Sequence, residues 1–188
     1  MSSFLVVGLP RSRTAWMAVA ASTLSNTFCY HEPMWFLPCY QSLRALWQCG
    51  IENNIGISDH ALGFQLKRIL EDVGPRTLII DRDIDECVQS LKAFDVDAER
   101  FCFELAESID ACLPHPLVKV VDFSEVSATL PDCLKWLVPD AEINPRKIAQ
   151  IRDMKIEADI EIVYRKLKAA KDHSHWYLPN SLRAARVA

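Results

Sequence analysis

The sequence predicts an α/β fold, a parallel sheet with helices on both faces. Three observations predict it. Short apolar runs end in turn residues, as in FLVVG at residues 4–8 and RTLIID at residues 76–81. Segments with helical apolar spacing lie between such runs. The two kinds alternate along the chain, the order that builds βαβ units. The 188 residues suffice for one domain with a full core and are few for two. The expected division is a core of residues 1–140 and a helical C-terminal part, 144–188.

Each element has its own signal. Residues 4–8 are an apolar run closed by Gly8 and Pro10, the pattern of a buried parallel strand. An Ala-rich helix follows over 14–24, then a short strand at 27–31 (TFCYH). Residues 33–48 read as a helix with Pro33 in its first turn. Ser58 and Asp59, in GISDH, mark the end of a further strand or the cap of the helix after them. Residues 61–71 form an amphipathic helix, 76–81 a strand, 84–94 and 98–112 helices, 117–122 (LVKVVD) a strand and 124–137 a helix. Asn144 followed by Pro145 starts a long helix to about residue 170 by cap-plus-proline logic.

Bulk composition narrows the class. Half the residues are apolar and 24% are charged, as in ordinary globular proteins. No apolar run approaches the roughly 18 residues of a membrane helix. The N-terminal apolar stretch has no basic region ahead of it and is broken by Gly8, Pro10, Arg11 and Arg13, so it reads as a strand and not a signal peptide. The seven cysteines, Cys29, Cys39, Cys49, Cys87, Cys102, Cys112 and Cys133, contain no CxxC pair and no metal-ligand spacing. They read as buried reduced thiols of a cytoplasmic protein. Net charge is −4, while residues 165–188 carry Arg165, Lys166, Lys168, Lys171, Arg183 and Arg186 against Asp172 alone. The remainder is acidic, which argues against duplex nucleic acid as a partner. The basic tail is a solvated face or a cover for a small anion.

In a parallel sheet ligands sit beyond the carboxyl ends of the strands. Gly8 to Thr14, His31 with Glu32, Asp81 with Arg82, and Asp122 with Phe123 should therefore converge. The first of these is a strand-to-helix loop, GLPRSRTAW. Such a loop presents backbone N–H groups to an anion at the positive end of a helix. Pro10 stiffens it, Arg11 adds a planar fork suited to phosphate or sulfate, and Ser12 and Thr14 add hydroxyls. A nucleotide kinase needs a lysine and a Mg²⁺-binding hydroxyl after the loop glycine. This chain has Arg13, Thr14 and Ala15 where Gly, Lys and Ser or Thr would stand.

GLPRSRTAW resembles the 5′-phosphosulfate loop of sulfotransferases, Pro-Lys/Arg-Ser-Gly-Thr-Thr-Trp. DRDIDECVQS resembles their 3′-phosphate motif, with Arg82 after a strand and Ser90 eight residues on. HEP at 31–33 resembles the Glu-Pro element after the second strand, and VVDFSEV at 120–126 the late strand with its Tyr-Glu-Asp-Leu-like sequence. The four follow the family's order over roughly the first 140 residues. The resemblance implies a three-layer parallel sheet of P-loop nucleoside triphosphate hydrolase type. It implies 3′-phosphoadenosine 5′-phosphosulfate (PAPS) as donor, with no metal. Arg11, Ser12, Arg13, Thr14 and Ala15 would hold the 5′ end, and Arg82 and Ser90 the 3′-phosphate.

The departures are specific. Arg13 stands at the family's glycine, where it points outward or adds a charge to the pocket, and a glycine needing positive φ there would make an arginine costly. Ala15 replaces a threonine that contacts phosphate, and the C-terminal Arg-Lys-Gly-x-x-Gly motif is absent. Arg183, Arg186, His173 and His175 are candidates for its contacts.

Sulfuryl transfer needs a base for the acceptor and cations for the leaving phosphate. Arg11 is the candidate cation. Glu32 is the candidate base, against a reading as an acid beside a helix start. His31 is the rival base, and strand alternation puts it on the opposite face from Glu32. Trp16 should pack the first helix on the sheet, and Trp35 and Trp47 belong to the core or to an acceptor pocket. The stripe Ile156, Ile160, Val163, Leu167 and Ala170 docks on the domain or on a second subunit of a homodimer. The expected activity is PAPS-dependent transfer to a hydroxyl or amine of a small-molecule or carbohydrate acceptor. The alternatives are a P-loop kinase, marked by ATP and Mg²⁺ dependence, and a nucleotide-binding module without chemistry.

Overall fold

The computed structural model describes residues 2–33, 40–48, 53–92 and 97–154. Five strands form one parallel sheet: β1 (Ser3–Gly8), β2 (Thr27–His31), β3 (Asn54–Ser58), β4 (Arg76–Asp81) and β5 (Val118–Asp122). Their order is β2-β3-β1-β4-β5, with every pairing parallel. The helices are α1 (Thr14–Ala21), α2 (Tyr40–Gln48), α3 (Leu66–Asp72), α4 (Ile84–Leu91), α5 (Ala98–Asp110), α6 (Leu130–Leu137) and α7 (Pro145–Arg152). This is the predicted three-layer α/β architecture. β1 lies at the centre and its loop turns directly into α1, the P-loop-type arrangement.

Alternation along β1 builds both halves of the core. Phe4 and Val6 face a cluster with Trp16, Met17, Leu78, Ile80, Leu134 and Ile148. Leu5 and Val7 face the other, with Leu43, Ile57, Leu66, Ile79 and Leu105. All four are fully buried, each contributing about 1.5–3 kcal/mol. Gly56 on β3 is small because the Phe4 ring occupies the space a Cβ would take. Gly8 is small because a Cβ would stand 2.6 Å from the Ile80 carbonyl oxygen of β4.

Several boundaries differ from the sequence expectation. The first half of the helix expected over 61–71 is a 3-10 turn, His60–Gln65, which presses Gly63 against Leu105 and Ile109 of α5. The helix expected from 124 begins at Leu130, because Pro131 suits a first turn and not an interior. The helix capped by Asn144 closes at Arg152 with Asp153 as its C-cap, and the expected span from 155 to 170 lies outside the described residues. The Trp16 indole donates to the Ile151 carbonyl at 2.8 Å, which engages the last turn. Trp16 itself is buried between α1 and the sheet, as expected. The stripe at 156–170 lies outside the described residues.

Cys29, Cys87, Cys102, Cys112 and Cys133 are free thiols, and all but Cys29 are buried. No helix among the described residues is long and apolar enough to cross a membrane.

Candidate active site

The loop after β1 is tight and strained. The Ser12 N–H donates to the Leu9 carbonyl at 3.1 Å, closing a turn around Pro10. Arg11 has φ 70 and Arg13 has φ 60, both left-handed. Left-handed backbone costs a side-chain-bearing residue on the order of 1–2 kcal/mol, and such strain concentrates at functional sites. Arg13 is the N-cap of α1 and makes no side-chain cap bond. The first-turn N–H groups of α1, from Thr14 onward, therefore point out of the positive end of the helix. Arg13 sends its guanidinium away from the loop. It donates to Ser127 Oγ at 2.6 Å and lies 4.7 Å from the Phe123 ring centre. Ser12, expected on the ligand side, is fully buried, and its hydroxyl has no hydrogen-bond partner among the described residues.

The second motif meets the loop directly. β4 ends at Asp81, and Asp83 caps α4 by accepting from the Glu86 N–H at 3.0 Å. Arg82 stands between them. Its Nη1 donates to the Arg11 carbonyl at 2.6 Å, and its Nε to Glu86 Oε2 at 3.0 Å. Its guanidinium lies 4.2 Å from the Phe123 ring centre. Ser90, one turn along α4 from Glu86, accepts from Arg11 Nε at 3.1 Å. Arg11 and Arg82 thus meet at one loop, and Glu86 is the acid paired with Arg82. The loop amides, Arg11, Arg82 and Ser90 together form a donor cluster suited to an anion.

Phe123, expected at this edge from its place after β5, joins the cluster. An Asx turn fixes it: Asp122 Oδ1 accepts from the Ser124 N–H at 2.7 Å and from the Ser124 hydroxyl. Those hydrogen bonds hold the Asp122 carboxyl below its usual range. The Phe123 N–H donates to the Asp81 carbonyl at 2.7 Å, registering the ring beside Arg82. The available signal was an aromatic residue immediately past a strand, at the carboxyl edge of the sheet.

The third group corrects the alternation argument. Glu32 has φ 47, so it leaves β2 as the strand ends and does not take the opposite face from His31. Its N–H still donates to the Ser58 carbonyl at 2.9 Å. The carboxylate then meets both histidines, with Oε1 3.6 Å from His31 Nε2 and 3.3 Å from His60 Nδ1. His31 Nε2 is also 3.5 Å from Thr14 Oγ1 at the start of α1. His31 and Glu32 are therefore one unit. His60, which the sequence reading did not single out, completes it. Burial works against a charge on His60, but the Glu32 hydrogen bond and the charges of Glu32 and Asp59 outweigh it and raise its pKa. The side chain keeps 21% exposure, so solvent softens the burial cost and the ion pair prevails.

Ser58 and Asp59 have structural partners. The Ser58 hydroxyl donates to the Thr14 carbonyl at 2.8 Å, and Asp59 Oδ1 accepts from the Ala61 N–H at 2.9 Å as the cap of the 3-10 turn. Trp47 is core: it is buried, and its indole donates to the Phe4 carbonyl at 3.4 Å. Trp35, His173, His175, Arg183 and Arg186 lie outside the described residues.

The chain matches no family model, and no curated protein matches it. Among solved structures it is similar to the mouse sulfotransferase SULT7A1 complexed with PAP, with TM-score 0.48 and 13% identity over 89% of this chain and 64% of that one. It is also similar to thymidylate kinase from Candida albicans, with TM-score 0.42 and 14% identity over 84% of this chain and 96% of that one. The chain spans less than two thirds of the length of the mouse sulfotransferase.

Proposed function

We propose that this protein is a PAPS-dependent sulfotransferase, moving a sulfuryl group to a hydroxyl or amine of a small-molecule or carbohydrate acceptor. One observation carries the reading: Ser90, Arg11 and Arg82 are linked by hydrogen bonds around the loop, so the two motifs that resemble the two phosphate sites of one nucleotide form one surface. When bound, PAPS supplies the activated sulfuryl group. The loop amides and Arg11 would neutralise charge at its 5′-phosphate. Arg82 and Ser90 would hold its 3′-phosphate, in competition with the Arg82–Glu86 pair. His31 takes the acceptor proton, because its side chain is 30% exposed against 16% for Glu32 and it stands nearer the loop through Thr14. Glu32, held by His60, orients His31 and stabilises its charged form. The free thiols favour a reducing compartment, and we place the enzyme in the cytoplasm.

Calorimetric titration with 3′,5′-adenosine bisphosphate, ADP, and ATP with Mg²⁺, on wild type and Arg82→Ala, tests the reading. Preferential, metal-independent binding of the bisphosphate, weakened by the substitution, is expected. Preference for ATP with Mg²⁺ makes the protein a kinase. Binding of the bisphosphate with no transfer to any acceptor, and no effect of Glu32→Gln, makes it a non-catalytic module.

A further inference from the structure

We infer that Glu86 is a built-in competitor for Arg82: its carboxylate fills the anion position while the site is empty, and a ligand binds Arg82 by displacing it. The inference deepens the proposed donor reading, from which it takes the identity of the ligand. Arg82 is held from three sides. Its Nη1 donates to the Arg11 carbonyl at 2.6 Å, its Nε donates to Glu86 Oε2 at 3.0 Å, and its guanidinium lies 4.2 Å from the Phe123 ring centre. Glu86 is the one carboxylate in ion-pair contact with Arg82 among the described residues.

The three holds differ in permanence. The Arg11 carbonyl belongs to the loop backbone, and the Phe123 ring is set by its Asx turn and by the bond from its N–H to Asp81. Glu86 reaches Arg82 only through its own flexible side chain, from the first turn of α4. Its side chain is 59% exposed, that of Arg82 18%. On leaving Arg82 the carboxylate regains water, so its departure is cheap. Arg82 stays against the carbonyl and the ring, largely out of water, and needs a new anion. Glu86 and Ser90 stand four residues apart on one face of α4. Ser90 accepts from Arg11 Nε at 3.1 Å while Glu86 accepts from Arg82. One face of α4 thus occupies both guanidiniums of the anion cluster.

The exchange makes and breaks no covalent bond. A phosphate monoester brings about 1.5 to 2 negative charges and three acceptor oxygens, against the single charge of Glu86, so it displaces the carboxylate. Its apparent affinity is still reduced by the fraction of molecules in which Arg82 stands open. An exposed ion pair is weak, which leaves on the order of one molecule in five open. Removing the acid raises affinity by the same factor.

The test is calorimetric titration of wild type, Glu86→Gln and Asp85→Asn with 3′,5′-adenosine bisphosphate and with inorganic pyrophosphate. Asp85 is exposed in the same first turn of α4, and the ion pair of Arg82 is to Glu86 and not to Asp85. Its variant therefore removes the same charge without the contact. Expected is bisphosphate binding about fivefold tighter in Glu86→Gln and little changed in Asp85→Asn. On an Arg82→Ala background, Glu86→Gln should add no more than Asp85→Asn does. Equal affinity of wild type and Glu86→Gln, the same gain in Asp85→Asn, or a full gain without Arg82 overturns the inference and leaves the donor reading standing. Bisphosphate binding to neither protein, with pyrophosphate binding that tightens in Glu86→Gln, rejects the donor reading and leaves Glu86 as the competitor. Binding of neither anion overturns both.

Discussion

Arg82 Nη1 donates to the backbone carbonyl of Arg11 at 2.6 Å, across 71 residues of sequence. The bond fixes the loop after β1 against the segment after β4 and leaves the Arg11 side chain for Ser90. A lysine at this position keeps the charge but loses the planar fork that reaches Glu86 and the carbonyl together. Arg82→Lys should weaken bisphosphate binding about tenfold, the loss of one charge-assisted hydrogen bond. Calorimetry against wild type measures it, and unchanged affinity would remove Arg82 from the site.

Phe123 carries two guanidiniums, Arg82 at 4.2 Å and Arg13 at 4.7 Å from its ring centre. Cation–π contacts at such sites are worth about 0.5–2 kcal/mol. Phe123→Leu preserves apolar contact with the core and removes the π face. It should lower bisphosphate affinity several-fold with little change in thermal stability, and Phe123→Tyr should restore it. Equal affinity for the leucine and tyrosine variants would reduce the ring to packing.

Arg13 pays a left-handed backbone cost at φ 60 while gaining Ser127 and Phe123 as partners. Arg13→Ala loses the partners and keeps the cost; Arg13→Gly loses both. The glycine variant should be the more stable of the two by about 1 kcal/mol. Urea denaturation of the pair isolates the backbone contribution.

The His60–Glu32 pair predicts a pH dependence. The folded pKa of His60 is raised above its ordinary 6.5, so protonation favours the folded state. The stabilisation is fully present below the unfolded value and is lost as pH rises through the folded one. Thermal melts from slightly acid to slightly basic pH should show wild type losing stability across that window, and His60→Gln should lack this loss.

The Trp16 indole bond to the Ile151 carbonyl, 2.8 Å and buried, ties α7 to α1 beneath the loop. Trp16→Phe leaves that carbonyl short of a partner, although the Met154 N–H also donates to it at 3.0 Å. The expected destabilisation is about 1 kcal/mol by chemical denaturation.

The sequence by itself determined the α/β class, β1 with its loop and α1, and the strands β4 and β5. Those features are local: an apolar run, a Gly-Pro turn and a helical period are written in neighbouring residues. It also determined that Arg11, Glu32, Arg82 and Phe123 lie at one edge, because parallel strands deliver their carboxyl ends together. The tertiary structure alone decided how they meet. Strand order follows from which faces bury best. The last turn of α7 is held by the indole of Trp16, distant in sequence. Phe123 became a platform for two arginines only through contacts from other strands. Glu32 turned toward His31 and His60 because one residue left the extended conformation as β2 ended, and strand alternation cannot anticipate a single positive φ that packing holds in place.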